Sequence, residues 1–217
     1  MQTQSKEDYI KSIYFLQKDD RSVATSALAK HLGIADGSVT DMVKKLSEKQ
    51  LINYEPYQGV TLTASGRRLA LKMVRRHRLW EMFLVKFLGY TWDEIHDEAE
   101  VLEHVTSDDL EERIDRALGF PRVDPHGSPI PTADGELVEL KSKYLTECAE
   151  GEEGIIVRVR DANPEILKLM TKLGISLNKK ISVVQKVQFD GSVIIAIDGR
   201  ELPLSEKLAQ SILIQTT

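Results

Sequence analysis

The chain has 217 residues, 41% of them apolar, enough to bury a real core and to divide into two or three small modules. Its one cysteine, Cys148, excludes an internal disulfide framework and a cysteine-based zinc cage and is read as inert; no window approaches the apolar run of a membrane span, so a cytosolic protein is expected. The net charge of −5 hides a segregation: residues 21–90 carry 12 Lys/Arg against 5 Asp/Glu, whereas residues 91–160 carry 7 against 19, which predicts a localised phosphate-binding face.

Residues 4–18 place Tyr9, Ile10, Ile13, Tyr14 and Leu16 at helical spacing, predicting an amphipathic first helix. Thr25 is the expected N-cap of a short helix over residues 26–31 that Gly33 ends. Asp36 or Ser38 should cap the next helix, whose apolar stripe is Val39, Met42, Val43 and Leu46. Two short helices joined by a tight Gly-containing turn make a helix-turn-helix candidate. Residues 51–63 hold two β-branched or aromatic runs around Pro56 and Gly59, which predicts a hairpin, the wing of a winged helix. Thr63 or Ser65 should cap a long helix over 66–88 studded with Arg67, Arg68, Lys72, Arg75, Arg76 and Arg78. Further helices are expected over 91–105 and 107–118. Residues 119–131 contain four of the seven prolines and predict an extended arm. Beyond it, β-rich runs at 155–159, 181–189 and 193–197, a turn at Asp190-Gly191 and a helix over 164–173 predict a small β-barrel-like domain.

The chemistry concentrates in histidines set among carboxylates. On a helix, residues four apart share a face, so His77 and Glu81 converge, as do His96, Glu100 and His104, with Glu103 beside them. Asp8, on the first helix, is a carboxylate that can close such a site from far away in sequence. Imidazole plus carboxylates, with no sulfur nearby, is a donor set for a divalent first-row metal, with Mn²⁺ favoured and Fe²⁺, Co²⁺ or Zn²⁺ as alternatives. A solvated Glu-His pair is the ordinary explanation for any single pair, but not for five convergent groups. His31 has no such company and is read as surface. An enzyme is not expected: there is no His-Glu-x-x-His, no nucleophile with a nearby His partner and no Gly-rich phosphate loop.

The segments Arg76-His77-Arg78-Leu79-Trp80-Glu81 and Ile95-His96-Asp97-Glu98-Ala99-Glu100-Val101-Leu102-Glu103-His104-Val105 closely resemble the diphtheria toxin repressor family of iron- and manganese-dependent regulators. The opening Glu7-Asp8-Tyr9-Ile10, the winged helix and the arm from Asp124 to Pro131 fit the same resemblance. It implies a primary regulatory site of Asp8, Glu100, Glu103 and His104. It also implies an ancillary site, drawn either from His77, Glu81 and His96 or from Glu81 with Asp124, His126 and Asp161. Iron-type members carry Cys where Glu100 stands and Met where Asp8 stands, so both departures point to manganese. Lys11 stands where short manganese regulators have a ligating Glu, which argues against a binuclear site of their kind. Gly37 replaces a Pro and Asp41 a Gln of the iron-type members, so their operator preference does not transfer.

The fold class expected is mainly α with a small β domain. A winged helix-turn-helix at 1–65 is followed by a helical metal-binding and dimerisation domain with its Pro-rich arm at 66–140. A FeoA-like small β-barrel of the Src-homology-three type completes it at 152–217. The resemblance implies a homodimeric repressor of metal-uptake genes that binds a pseudo-palindromic double-stranded DNA operator and no membrane. Ser38, Thr40 and Asp41 are expected to reach base edges and Lys44 and Lys45 phosphates, with Thr25 also facing DNA. The competing reading is a winged-helix regulator that senses an organic ligand or redox state.

Overall fold

The computed structural model describes residues 6–19, 21–138, 141–160 and 163–216. They fall into two compact units. The first comprises the chain through His77 together with Glu103–Thr106 and Pro131–Glu136, and the second comprises Arg78–Leu102, Ser107–Ile130 and the chain from Leu137 onward.

In the first unit, helix α1 (Lys6–Leu16) buries Tyr9, Ile10 and Ile13. Helices α2 (Thr25–Leu32) and α3 (Asp36–Glu48) form the helix-turn-helix, with Leu28, Ala29, Val39, Val43 and Leu46 turned into the same core. The turn between them opens at Gly33, whose φ of 67° is cheap only for glycine, as expected of a helix stop. The capping expectations for Thr25, Asp36 and Ser38 are corrected. The N-caps are Ala24 and Ala35, neither with a side-chain hydrogen bond, because Thr25 and Asp36 are already the first helical residues. Strands β1 (Ile52–Glu55) and β2 (Gly59–Leu62) pair antiparallel as the wing. Gly59 has to be glycine, since a Cβ there would lie 2.4 Å from the carbonyl oxygen of Val23, which bridges to Val60. Helix α4 (Ala64–Leu88) is capped as expected by Thr63, whose hydroxyl accepts from the Gly66 amide at 3.1 Å.

Helix α5 (Ile95–Val105), which belongs to the second unit through Leu102 and to the first from Glu103, begins one turn later than the periodicity predicts. The Glu94 carboxylate accepts from the amide and hydroxyl of Thr91, closing a turn ahead of the helix. Helix α6 (Asp108–Leu118) starts at the expected cap, Ser107, and stops at Gly119. The Pro-rich arm is extended as expected and folds back on itself at Asp124, whose Oδ1 accepts from the amides of His126 and Ser128. A six-stranded antiparallel sheet follows in the order β3-β8-β4-β5-β6-β7, formed by Lys143–Tyr144, Ile212–Thr216, Glu153–Val159, Lys180–Lys186, Val193–Ile197 and Arg200–Leu204 respectively. Helix α7 (Pro164–Leu173) and the short α8 (Glu206–Ala209) close its core of Ile156, Met170, Ile175, Ile195 and Ile214. The C-terminal domain is thus an antiparallel sheet with two helices packed on it.

Candidate metal centres and DNA-binding face

Among the described residues, two groups of ligand-type side chains each converge within a single unit. In the first unit, Asp8, Glu103 and His104 each place one donor atom within 4.8 Å of the others. The arrangement follows from periodicity: Tyr9, Ile10 and Ile13 commit one side of α1 to the core, leaving Glu7, Asp8 and Lys11 on an adjoining face. The imidazole of His104 lies between two carboxylates, with Nδ1 2.7 Å from Glu7 Oε2 and Nε2 2.7 Å from Asp8 Oδ1. Glu103, fully buried, accepts from the Lys11 ammonium at 2.5 Å on one oxygen, and its other oxygen lies 2.6 Å from His77 Nδ1. Burial alone would depress the His104 pKa. The hydrogen bond with Glu7 and the charges of Asp8, Glu103 and Glu7 outweigh it, so the net shift is upward.

In the second unit, Glu81, Asp124 and His126 form the other group, also with donor atoms within 4.8 Å of one another. Glu81 and Asp124 are almost fully buried. Burial first, and then the neighbouring Glu81 charge, push the Asp124 carboxyl pKa up despite Arg78, whose Nε lies 3.5 Å away. His126 is held in one orientation by stacking on Trp92, with ring centroids 5.9 Å apart, and by contact of its Nε2 with the Trp92 carbonyl at 2.8 Å. A carbonyl only accepts, so Nε2 carries a proton, and Nδ1 faces Glu81, 3.9 Å away, where the neutral ring offers its lone pair. Two buried carboxylates and an imidazole nitrogen with its tautomer set for coordination fit a divalent cation of the Mn²⁺ to Zn²⁺ series. The first group fits as well, with His104 Nδ1 donating to Glu7 and Nε2 turned toward Asp8.

Other expected site residues are placed individually. His96 is exposed and Glu100 half-buried, one turn apart on α5 in the second unit. His77 closes the first unit beside Glu103. Asp161 lies outside the described residues. Glu7 and Lys11, which sequence reasoning did not count as site residues, both face the first cluster, and their spacing of four on α1 around Asp8 is the signal that could have found them. The arginines of α4 do not all serve the basic face. Arg75, Arg76 and Arg78 are buried; Arg75 donates to the Pro131 carbonyl at 2.8 Å in the first unit and Arg78 to the Pro129 carbonyl in the second. Cys148 is fully buried, and burial pushes its thiol pKa up, which suits an inert side chain.

On α3, Ser38, Asp41, Lys44 and Lys45 are exposed, while Thr40, half-buried, turns its hydroxyl back to the Asp36 carbonyl at 3.1 Å. Thr25 is half-buried at the start of α2. At the wing tip Tyr57 is fully exposed.

Comparison with known proteins agrees with this geometry. The N-terminal DNA-binding domain of iron-dependent repressors matches residues 1–60, their metal-binding and dimerisation domain residues 63–132, and a FeoA domain residues 143–216. The iron-dependent repressor IdeR of Mycobacterium leprae (strain TN) is 30% identical over 223 residues, spanning 96% of each chain. A solved manganese-dependent transcriptional repressor in complex with manganese is similar at a TM-score of 0.90 and 43% identity, over 98% of this chain and 100% of that one. ScaR with bound Zn²⁺ is similar at a TM-score of 0.81 and 37% identity, over 99% of this chain and 100% of that one. No helix among the described residues is long and apolar enough to cross a membrane. With a DNA-binding head, a metal-binding and dimerisation domain and a FeoA domain in that order, the chain belongs to the family of iron- and manganese-dependent transcriptional repressors and is a metal-sensing, DNA-binding regulator.

Proposed function

We propose that this regulator is a manganese-responsive homodimeric repressor of metal-uptake genes, in which Asp8, Glu103 and His104 form the primary effector site and Glu81, Asp124 and His126 a second. Glu100, one turn before His104, would complete the primary set, and Asp161 would be a further donor to the second; His77, Glu81 and His96 are the alternative donors for that second site. The observation that carries the reading is the donor set itself. Both clusters consist of carboxylate oxygen and imidazole nitrogen without sulfur, which suits Mn²⁺ and leaves Fe²⁺ as the alternative. The similar repressor solved with manganese supports the same choice. When bound, a divalent cation supplies a compact double positive charge at which several carboxylates can meet.

Everything else is the work of the chain. Asp8 is fixed on α1, and α1 delivers Tyr9, Ile10 and Ile13 to the core on which α3 rests. Drawing Asp8 toward Glu103 and His104 therefore sets where the whole head sits on the last turn of α5. In a two-fold dimer this selects, from many head placements, the one in which both α3 helices meet successive major grooves of a pseudo-palindromic operator. Ser38, Thr40 and Asp41 then read base edges, Lys44 and Lys45 hold phosphates, and Thr25 contacts the backbone at the start of α2. The C-terminal sheet, taken as a barrel of the Src-homology-three type, holds the arm that carries Asp124 and His126. A crystal soaked in Mn²⁺ and measured for anomalous scattering tests the placement. Peaks are expected at both clusters, and a first cluster without a peak at saturating Mn²⁺ would overturn the reading.

A further inference from the structure

The primary cluster already contains a cation supplied by the chain itself. Lys11 is 7% exposed and its ammonium lies 2.5 Å from Glu103 Oε1, the same oxygen that lies 3.6 Å from His104 Nε2. A buried ammonium is stable only when paired, and Glu103, fully buried, has the same need for positive charge. Lys11 meets that need without metal. Its partner oxygen is one that a bound ion would draw on, and its charge repels any ion placed there.

We propose that Lys11 is a built-in competitor of the effector. It satisfies Glu103 in the metal-free protein, confines the primary cluster to one ion and lowers the affinity for that ion, so that the regulator responds only above a threshold metal concentration. The proposal rests on the reading that Asp8, Glu103 and His104 bind the effector. Two consequences have opposite signs. Removing the ammonium leaves Glu103 buried with less compensation and weakens the metal-free fold. It also removes a positive charge from the ion's surroundings and tightens binding. A lysine that merely packed there would give the first effect without the second, and a lysine that organised the site would loosen binding.

The test is Mn²⁺ titration by calorimetry, with thermal melting, on full-length protein carrying Asp124→Asn to silence the second cluster. Lys11→Met and Lys11→Gln are added in turn; the Gln form keeps a donor for Glu103 should the Met form not fold. Each is expected to lower the metal-free melting temperature by roughly 5 °C and to tighten Mn²⁺ binding about tenfold or more. An Asp8→Asn arm separates the two levels of inference. If Asp8→Asn binds Mn²⁺ as the parent does, the assignment of the primary site fails and Lys11 has no ion to oppose. If Asp8→Asn weakens binding while neither Lys11 variant tightens it, the competitor role alone is overturned.

Discussion

Gly127 fixes the turn that carries Asp124 and His126. It sits between His126 and Ser128 with φ of 84°, and a Cβ built there would lie 2.0 Å from the Val157 carbonyl oxygen and 2.8 Å from the Arg158 Cα. Both obstacles are backbone of β4, so neither can swing aside. Gly127→Ala therefore has to lift the arm off the strand. The left-handed backbone costs alanine about 1 kcal/mol. Lifting also breaks the 2.8 Å bond from the Val159 amide to the His126 carbonyl and the 3.1 Å contact of Arg158 Nε with Ser128 Oγ, at about 1 kcal/mol each. The expected loss is about 2–4 kcal/mol of arm docking. Because Asp124 and His126 ride on that turn, the proposed two-site binding predicts that the variant takes up one Mn²⁺ ion fewer than the parent. Urea unfolding of the metal-free protein reads the first effect and calorimetric stoichiometry the second. Unchanged stability together with two ions bound at parental affinity would refute the claim that arm docking builds the second cluster.

Three other outcomes follow from the same geometry. Replacing Lys44 and Lys45 together by Ala should reduce the salt slope of operator binding by roughly 2 in log-log units, measured by fluorescence anisotropy over a range of salt; an unchanged slope would remove both from the phosphate contacts. The raised pKa of His104 means that its ion pairs with Glu7 and Asp8 stabilise the metal-free protein fully below the ordinary imidazole value of about 6.5. That contribution fades as pH rises through the elevated folded value. Mn²⁺ affinity should move the opposite way, rising as pH passes through the same range because the ion displaces the proton, and an affinity flat in pH from 6 to 8 would exclude His104 as a ligand.

Much of the fold was legible because it obeys local rules. The apolar spacing of Tyr9, Ile10 and Ile13, the stripe Val39, Val43 and Leu46, the caps Thr63 and Ser107 and the stops Gly33 and Gly119 each signal structure within a few residues. What escaped was short or determined at long range. Strand β7 contains Pro203, which reads against a strand, yet β7 lies at the edge of the sheet where a missing amide is tolerated. Strand β8 closes the described chain but pairs between β3 and β4, a placement no local pattern announces. At the site, helical spacing found the histidines and carboxylates of α4 and α5. The resemblance to the repressor family supplied Asp124 and His126. Neither revealed that Arg75 and Arg78, counted with the basic face, point at proline carbonyls, or that Lys11 reaches Glu103 across 92 residues of sequence. Those partners are set by how the arm and α1 pack.

The most direct measurement is operator affinity of the parent protein and of Asp8→Ala, each with and without saturating Mn²⁺, by anisotropy with a labelled duplex. The parent should bind about 5–150 times more tightly with Mn²⁺, and Asp8→Ala, which removes the carboxylate that α1 contributes, should lose most of that gain while keeping its metal-free affinity. Full activation of Asp8→Ala by Mn²⁺ would contradict the link between α1 and the end of α5.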